Sequence, residues 1–148
     1  MTTTRRNFAT AAAALTAVAA TPAAAQSRNP RKKESYWREK PQGKPIYSEA
    51  VSFGDFVFIS GHGVAKGTVG EQTTAVLDQI EAAVKLAGSS LANCVKANVF
   101  LKDLDDYQAM NAAYLGRFGD QPPVRTTVAV AGIPLEGCLV EIECIAHR

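Results

Sequence analysis

The sequence predicts an α+β domain of the ferredoxin-like type, in which two helices pack on one face of a mixed β-sheet. Three observations predict this fold. Paired β-rich runs stand near both ends of the region 45–148, two segments with helical periodicity lie between them, and one alternating run separates the helices. The predicted order of elements is ββαβαββ. A chain of 148 residues that is 47% apolar and 20% charged has room for one such domain with its own core.

The first two strands are predicted at 51–53 and 56–60, where β-branched and aromatic residues predominate. Gly54 and Asp55 separate these runs, and both residue types tolerate the backbone of a tight turn. The two strands are therefore expected to form a hairpin, which ends at the run 61–63.

The two helices are predicted at 73–87 and 105–118, and each carries one apolar face. In the first helix that face consists of Val76, Leu77, Ile80, Val84 and Ala87, and in the second of Tyr107, Met110, Tyr114 and Phe118. Gly88 and Gly119 are suited to end them, and Asp105 or Asp106 can cap the second helix.

The remaining strands are predicted at 95–101, 125–131 and 139–146. The first strand pair places apolar side chains on both of its faces, and one layer of helices covers only one face of a sheet. The other face is therefore expected to pack against another copy of the chain.

The region 1–25 has the features of a twin-arginine export signal: Arg5 and Arg6, an apolar run at 9–20, and an Ala-rich cleavage motif at 23–25. The alternatives are a short amphipathic helix or a membrane anchor, for which the apolar run is too short. The sequence thus predicts export to the periplasm or the medium. The chain has 16 basic and 14 acidic residues, so losing two arginines leaves no net charge to attract nucleic acid or membrane.

The region 26–44 is predicted to be a polar, basic arm, which Tyr36 and Trp37 attach to the surface of the domain. Cys94, Cys138 and Cys144 are expected to be small buried apolar residues, because an odd, sparse set of cysteines is not a disulfide framework.

Arg125 is the leading candidate for chemistry, since it opens a strand directly after two prolines and offers a rigid fork for a carboxylate. The alternative is a structural ion pair with Glu141 or Glu143 on the adjacent strand. Glu141 alternates with apolar residues, so its carboxylate could orient or deprotonate a water, or could simply be solvated or paired with an arginine.

Tyr47 and Asn111 could close a polar pocket, while His62, a lone histidine between glycines, is more often structural than catalytic. The sequence contains no metal-ligand cluster, phosphate-binding loop or dinucleotide motif. No cofactor or metal is therefore expected.

Six strings, in this order and spacing, resemble the RidA (YjgF-like) family of reactive-intermediate deaminases. They are YSEA at 47–50, FISG at 58–61, AGSSL at 87–91, VFLKDL at 99–104, PPVRTTV at 122–128 and VEIECIA at 140–146. The resemblance covers the region 45–148.

The resemblance implies a chorismate-mutase-like fold and a homotrimer with a cleft between each pair of subunits. It implies cofactor-free hydrolysis of enamines and imines, such as 2-aminoacrylate, to 2-keto acids and ammonia. Arg125 would bind the substrate carboxylate, and Glu141 with Asn111 would hold the attacking water. Tyr47 would line the cleft, and the backbone at Gly61 and Thr127 would contact the substrate. His62, placed with the substrate-binding residues, departs from the glutamine that many members carry.

Two alternatives remain beside the enzyme. The signal, His62 and a short loop at 63–72 would also fit a non-catalytic, carboxylate-binding or chaperone-like trimer outside the cytoplasm. Ribonuclease activity has been attached to relatives, but the sequence offers no histidine pair or basic groove for it.

Overall fold

The computed structural model describes residues 32–148, which form one six-stranded sheet with two helices on one face. The strands are β1 (Lys33–Tyr36), β2 (Ala50–Phe53), β3 (Phe56–Gly63), β4 (Cys94–Leu101), β5 (Val124–Ala129) and β6 (Val140–His147), and the helices are α1 (Val69–Leu86) and α2 (Tyr107–Tyr114). Across the sheet the order is β1-β2-β3-β6-β4-β5. The predicted α+β fold, with two helices on a mixed sheet, is confirmed.

The topology follows from how the strands are connected. β4 and β5 run parallel, and α2 lies in the crossover between them, whereas the other strand pairs are antiparallel. β5 therefore lies at one edge of the sheet and β1 at the other.

The predicted hairpin is confirmed, with Phe53 opposite Phe56 and Gly54 at φ 60° in the turn. β3 continues beyond the predicted end at residue 60. It does so because its pairing with β6 resumes after a bulge, where His62 lies opposite Ile142.

Helix α1 begins at Val69 rather than at residue 73. Thr68 and Glu71 form a capping box: the Glu71 carboxylate accepts the Thr68 N–H at 2.8 Å, and the Thr68 hydroxyl accepts the Glu71 N–H at 3.4 Å. Val69 is buried, so the apolar face begins one turn earlier than the predicted start.

Helix α2 is shorter than the predicted 105–118. A 3₁₀ turn at Leu104–Asp106 precedes it, and the side chain that accepts a backbone N–H there is Asp103 rather than Asp105 or Asp106. The α-helix ends at Tyr114, because Gly116 adopts a left-handed backbone at φ 77°. Phe118 is still buried.

The core lies between the helices and one face of the sheet. In β6, Val140, Ile142, Cys144 and Ala146 are buried, as their alternation predicts, and they pack with the apolar face of α1. The opposite face of the sheet has no helical layer among the described residues. Phe56, Phe58 and Val128 are exposed there.

The predicted arm at 26–44 is not simply a tether, since its residues 33–36 form β1 and pair with β2. The Tyr36 hydroxyl also lies 3.1 Å from the Ser52 hydroxyl. β1 is short and polar, without an alternating pattern, so only its pairing with β2 makes it a strand.

The predicted signal at 1–25 lies outside the described residues. Within 32–148, neither helix has the length and apolar character needed to cross a membrane.

Candidate functional site

Arg125 lies on β5 and faces the helical layer. In the parallel pairing with β4, Arg125 is opposite Ala97 and Thr127 is opposite Val99. Ala97 and Val99 are fully buried under the helices, and residues opposite each other share a face of the sheet. The side chains of Arg125 and Thr127 therefore point toward α2.

Helix α2 holds the Arg125 guanidinium in place. Its Nη2 donates to Oδ1 of Asn111 at 2.6 Å and lies 3.5 Å from the Tyr107 hydroxyl. Its Cζ lies 4.6 Å from the centre of the Tyr114 ring, within the range of a cation–π contact. The Asn111 amide bonded to Nη2 and the Tyr114 ring against the guanidinium plane together fix the orientation of the Arg125 side chain.

The electrostatics around Arg125 leave its charge uncompensated. The pKa of Tyr107 is lowered, mainly by its hydrogen bond with Asn111 and then by the hydrogen bond and positive charge of Arg125. Burial raises the pKa of Tyr114, although the nearby Arg125 charge opposes the shift. Tyr114 is therefore neutral at physiological pH. Within residues 32–148, no carboxylate forms a salt bridge with Arg125.

A hollow of about 420 Å³ opens in front of the guanidinium, lined by Leu104, Tyr107, Arg125 and Thr127. The Thr127 hydroxyl is buried and has no hydrogen-bond partner among the described residues. A buried hydroxyl without a partner is costly unless something else fills that role. The hollow thus offers an anion one fixed cation, the Arg125 guanidinium.

Glu141 and Gly61 lie on the opposite face of the sheet. Glu141 is opposite Phe100 on β4 and Gly63 on β3, and neither Glu141 nor Phe100 is on the buried face. The Glu141 carboxylate lies directly over Gly61, so a Cβ at Gly61 would collide with it. Glycine at position 61 therefore keeps this carboxylate close to the β3 backbone.

Tyr47 and His62 belong to a third group, between the arm and the end of β3. The Tyr47 side chain is exposed, whereas the imidazole of His62 is buried. His62 Nδ1 lies 2.8 Å from the Ser60 carbonyl, and Nε2 lies 3.6 Å from Oε1 of Glu49. Glu49 in turn is ion-paired with Arg38.

The Glu49 carboxylate is held in its ionised form. Partial burial opposes ionisation, but hydrogen bonds from the backbone and side chain of Arg38, its charge and a bond with His62 outweigh burial and lower the pKa of Glu49. The side chains of Arg38, Glu49 and His62 therefore form one connected polar group.

The structure thus places two sets of the predicted site residues on the two faces of the sheet, apart from the third group of Tyr47 and His62. Arg125, Asn111 and Thr127 are on the covered face, while Glu141 lies beside Gly61 on the open face. Asn111 and Glu141, which were expected to hold one water together, are not neighbours within one protomer. The alternative ion pair of Arg125 with Glu141 or Glu143 is not formed, and Glu143 instead accepts from Asn98 at 2.7 Å.

Sequence reasoning missed several contributors to these sets. Tyr107 and Tyr114 were assigned only to the apolar face of α2, although Tyr107 stands one turn before Asn111 and so shares its side of the helix. The pair Arg38–Glu49 had no sequence signal, because its partners are joined only by the fold of the arm.

This fold and this site define a class: a ferredoxin-like protein with an oriented arginine at the edge of its sheet, without a salt bridge among the described residues. The endoribonuclease L-PSP family model matches residues 38–148. Protein mmf2, mitochondrial, of Schizosaccharomyces pombe is 44% identical over 108 residues, covering 68% of this chain and 86% of that protein. A RutC family protein of Pyrococcus abyssi is 39% identical over 126 residues, covering 78% of this chain and 98% of the relative.

Solved structures of proteins from the same family share this fold. A YjgF family member from Neisseria meningitidis superposes with a TM-score of 0.72 at 30% identity, covering 81% of this chain and 98% of the other. RidA from an Antarctic Psychrobacter gives 0.66 at 34% identity, covering 73% and 93%. The chain therefore belongs to the endoribonuclease L-PSP family, which includes the YjgF, RutC and RidA proteins.

The comparisons correct the expected localisation. The relatives mmf2 and mmf1 of Schizosaccharomyces pombe, 44% and 40% identical, are named as mitochondrial proteins, and the comparisons give no sign of an exported group. The prediction of periplasmic or secreted localisation through a twin-arginine signal is therefore wrong.

Proposed function

We propose that the protein hydrolyses imines and enamines of 2-keto acids, such as 2-aminoacrylate, in clefts between the subunits of a homotrimer. The enamine first tautomerises to the imine. Water adds to the imine carbon, and the carbon–nitrogen bond then breaks. The products are the 2-keto acid and ammonia, and the reaction needs no cofactor.

The observation that carries this proposal is the guanidinium of Arg125, oriented by Asn111 and Tyr114 and without a carboxylate partner among the described residues. Imines of this class carry a carboxylate beside the reacting carbon, which suits a planar fork. A charge-assisted hydrogen bond of this kind is worth about 1.5–3 kcal/mol. Membership of a family that includes RidA supports the same chemistry.

The separation of the two sets of residues supports a site shared between copies. Arg125 and Glu141 face opposite sides of one sheet, so one protomer does not place both around one small molecule. The open face exposes aromatic and branched side chains, including Phe58 and Val128, and such surface favours association. A head-to-tail contact that closes into a ring brings the covered-face set of one copy to the open-face set of the next.

Each residue then has a role in the cleft. Arg125 binds the carboxylate, and the backbone at Thr127 contacts the substrate beside it. Glu141 of the neighbouring copy orients the water and accepts its proton, while the Gly61 backbone next to that carboxylate contacts the substrate. Asn111 uses its oxygen to hold Arg125 and one amide N–H to bond Tyr107, so its second N–H is the one that holds the water.

The test is a competition between hydrolysis and chemical trapping. An amino-acid oxidase generates a 2-imino acid in the presence of semicarbazide, which traps the imine. An active protein diverts the imine to keto acid and lowers semicarbazone formation. Wild type is expected to do so, and Arg125→Ala is expected to lose about a hundredfold in rate.

Arg117→Ala is the matched control, because Arg117 is a second half-buried arginine that pairs with Asp78 away from the hollow. It is expected to retain the wild-type rate. If wild type and Arg125→Ala both match buffer, the protein is not an imine hydrolase. Thermal stabilisation by 2-keto acids without turnover would instead indicate a carboxylate-binding protein.

A further inference from the structure

The first step of the proposed reaction, from enamine to imine, needs a proton donor. An enamine becomes an imine when its terminal carbon gains a proton. Arg125 keeps its protons at physiological pH, and the amide of Asn111 has none to give. Glu141 is assigned to accept the proton of the water, so it does not supply one beforehand. The residues given roles in the cleft therefore leave this step without a donor.

Tyr107 brings a hydroxyl to the proposed reaction site. It lines the hollow of about 420 Å³ together with Leu104, Arg125 and Thr127. Leu104 is apolar, and the Thr127 hydroxyl is buried, whereas the Tyr107 side chain is partly exposed. Tyr107 is therefore the residue of this lining whose proton is both accessible from the hollow and transferable.

The hydrogen bonds around the Tyr107 oxygen leave its proton available. The oxygen accepts an N–H of Arg125 Nη2 at 3.5 Å, and the Asn111 amide donates a second one. Neither of these N–H groups can accept the proton of the phenol. No other group bonds this hydroxyl in the part of the chain that the structure describes. The O–H group can therefore donate to a molecule in the hollow.

The same two contacts stabilise the anion that remains after the proton has left. The hydrogen bond from Asn111, and then the hydrogen bond and charge of Arg125, lower the pKa of Tyr107. Tyr107 therefore gives up its proton more readily than an ordinary phenol does, and the resulting phenolate lies beside a cation.

The substrate carboxylate determines where the enamine lies relative to this hydroxyl. The reacting carbon is bonded directly to the carboxylate, and the terminal carbon is one bond further away. A carboxylate bound by Arg125 therefore keeps the terminal carbon near the guanidinium, and the Tyr107 oxygen lies 3.5 Å from Nη2 of that group. Helix α2 carries both Tyr107 and Asn111, so one element holds the donor and orients the arginine.

We propose that Tyr107 is the general acid that protonates the terminal carbon of the enamine. This inference rests on the proposed function, because it assigns the donor for the first step of that reaction. The O–H bond of Tyr107 breaks, and the electron pair of the carbon–carbon double bond forms the new C–H bond. The lone pair of the nitrogen makes the carbon–nitrogen double bond of the protonated imine. The phenolate then takes a proton from solvent, so Tyr107 is unchanged after each turnover.

The first experiment compares two substrates that differ only in this proton transfer. Serine dehydrated by a pyridoxal-phosphate enzyme supplies the enamine 2-aminoacrylate, and alanine oxidised by an amino-acid oxidase supplies the corresponding imine. Both substrates yield pyruvate. Tyr107→Phe keeps the ring and removes the hydroxyl. It is expected to lower kcat/KM for the enamine by at least about tenfold and to leave kcat/KM for the imine within about twofold.

Tyr36→Phe is the matched control for removing a tyrosine hydroxyl. The Tyr36 hydroxyl bonds Glu34 and Ser52 at β1, and β1 and β5 lie at opposite edges of the sheet. This variant should change the rate for neither substrate.

The second experiment detects the donor itself through the stereochemistry of the product. The enamine formed from threonine is hydrolysed in deuterium oxide, and lactate dehydrogenase reduces the keto acid as it forms. A donor fixed on one face of the enamine gives one configuration at the deuterated carbon. In Tyr107→Phe the solvent supplies the deuteron, so a mixture of both configurations is expected. A residue that only positions Arg125 would not change this ratio.

The outcomes separate this inference from the proposed function. If Tyr107→Phe slows enamine and imine equally, Tyr107 acts only through Arg125. If the wild-type product already contains both configurations, solvent is the donor. Either result overturns the inference, while hydrolysis of the imine by wild type still supports the proposed function. If wild type converts neither substrate faster than buffer, the proposed function fails and this inference fails with it.

Discussion

The two faces of the sheet carry different kinds of residue. On the covered face, buried apolar side chains surround one oriented guanidinium, and each polar contact of Arg125 comes from helix α2 of the same copy. On the open face, Glu141 lies against the β3 backbone among exposed aromatic side chains. The apolar side chains of the covered face are buried by the helices of the same protomer. On the open face, apolar side chains remain exposed in one protomer.

This difference indicates how stability and function are divided. Changes on the covered face should alter folding first, and changes on the open face should alter assembly first. The proposed chemistry needs one set from each face. It therefore depends on how copies meet as well as on how each copy folds.

The largest effect is expected when one residue on each face is removed in separate variants and the two variants are then combined in one trimer. Arg125→Ala and Glu141→Ala should each lose about a hundredfold in imine hydrolysis. Co-expressed in equal amounts and purified as mixed trimers, they should recover about a third of the wild-type rate, because one of the three clefts in every mixed trimer has both residues intact. Activity of the mixed species is measured after purification through two different affinity tags.

If one protomer held a whole site, mixing these two variants would recover nothing. Glu136→Ala, in an exposed loop, serves as the control for removing a carboxylate and should retain activity alone and in mixtures.

Gly61→Ala is expected to reduce the hydrolysis rate by about tenfold or more, because its Cβ would displace the Glu141 carboxylate. Gly70→Ala is its control, since a Cβ there meets only the Ala109 carbonyl at 3.8 Å within a helix. Steady-state rates and melting temperatures of both proteins are compared. A Gly61→Ala protein with full activity would show that the position of Glu141 is irrelevant.

Ile142 and Ile145 allow the faces to be compared on one strand. Ile142→Ala should lower the free energy of unfolding by about 2–5 kcal/mol, because Ile142 is fully buried under the helices. Ile145→Ala, on the open face, should cost less in folding and should weaken self-association. Urea unfolding and sedimentation are measured for both, and similar unfolding costs with unchanged association would contradict the division between the faces.

The smallest effect on stability is expected from removing the ion pair between Arg38 and Glu49. The pKa of Glu49 is lowered in the folded protein, so its stabilisation is present above the ordinary value of 4.5 and is lost as pH falls through the folded value. Glu49→Gln should therefore reduce stability at neutral pH and lose less on acidification than wild type. Urea midpoints at about pH 7 and about pH 3 measure the difference, and parallel losses would rule out this contribution.

Much of the fold could be predicted from the sequence, because hydrophobic periodicity reports burial directly. The buried positions of β6 and the apolar face of α1 are where the pattern places them. The ends of α2 were not predictable in the same way, since Phe118 remains buried after the helix has ended and so extends the apparent pattern.

The sequence could not predict that Arg125 and Glu141 lie on opposite faces of the sheet. It depends on the registers of β5 with β4 and of β4 with β6, and a slip of one residue would move every side chain to the other face. In β5 the pattern of apolar and polar residues is too weak to specify a face. The choice of Arg125 as a candidate came from its position after two prolines at the start of a strand, and its role stays a prediction.

Strand β1 precedes the residues that the family model matches, which begin at residue 38. It forms one border of the sheet with Lys33 and Glu34, whose charges make that border a poor template for another chain. A shortened protein beginning at Arg38 would leave the outer N–H and C=O groups of β2 unpaired beside Val51 and Phe53. Such a protein is expected to self-associate through this edge more readily than the full chain, which light scattering of both proteins would show.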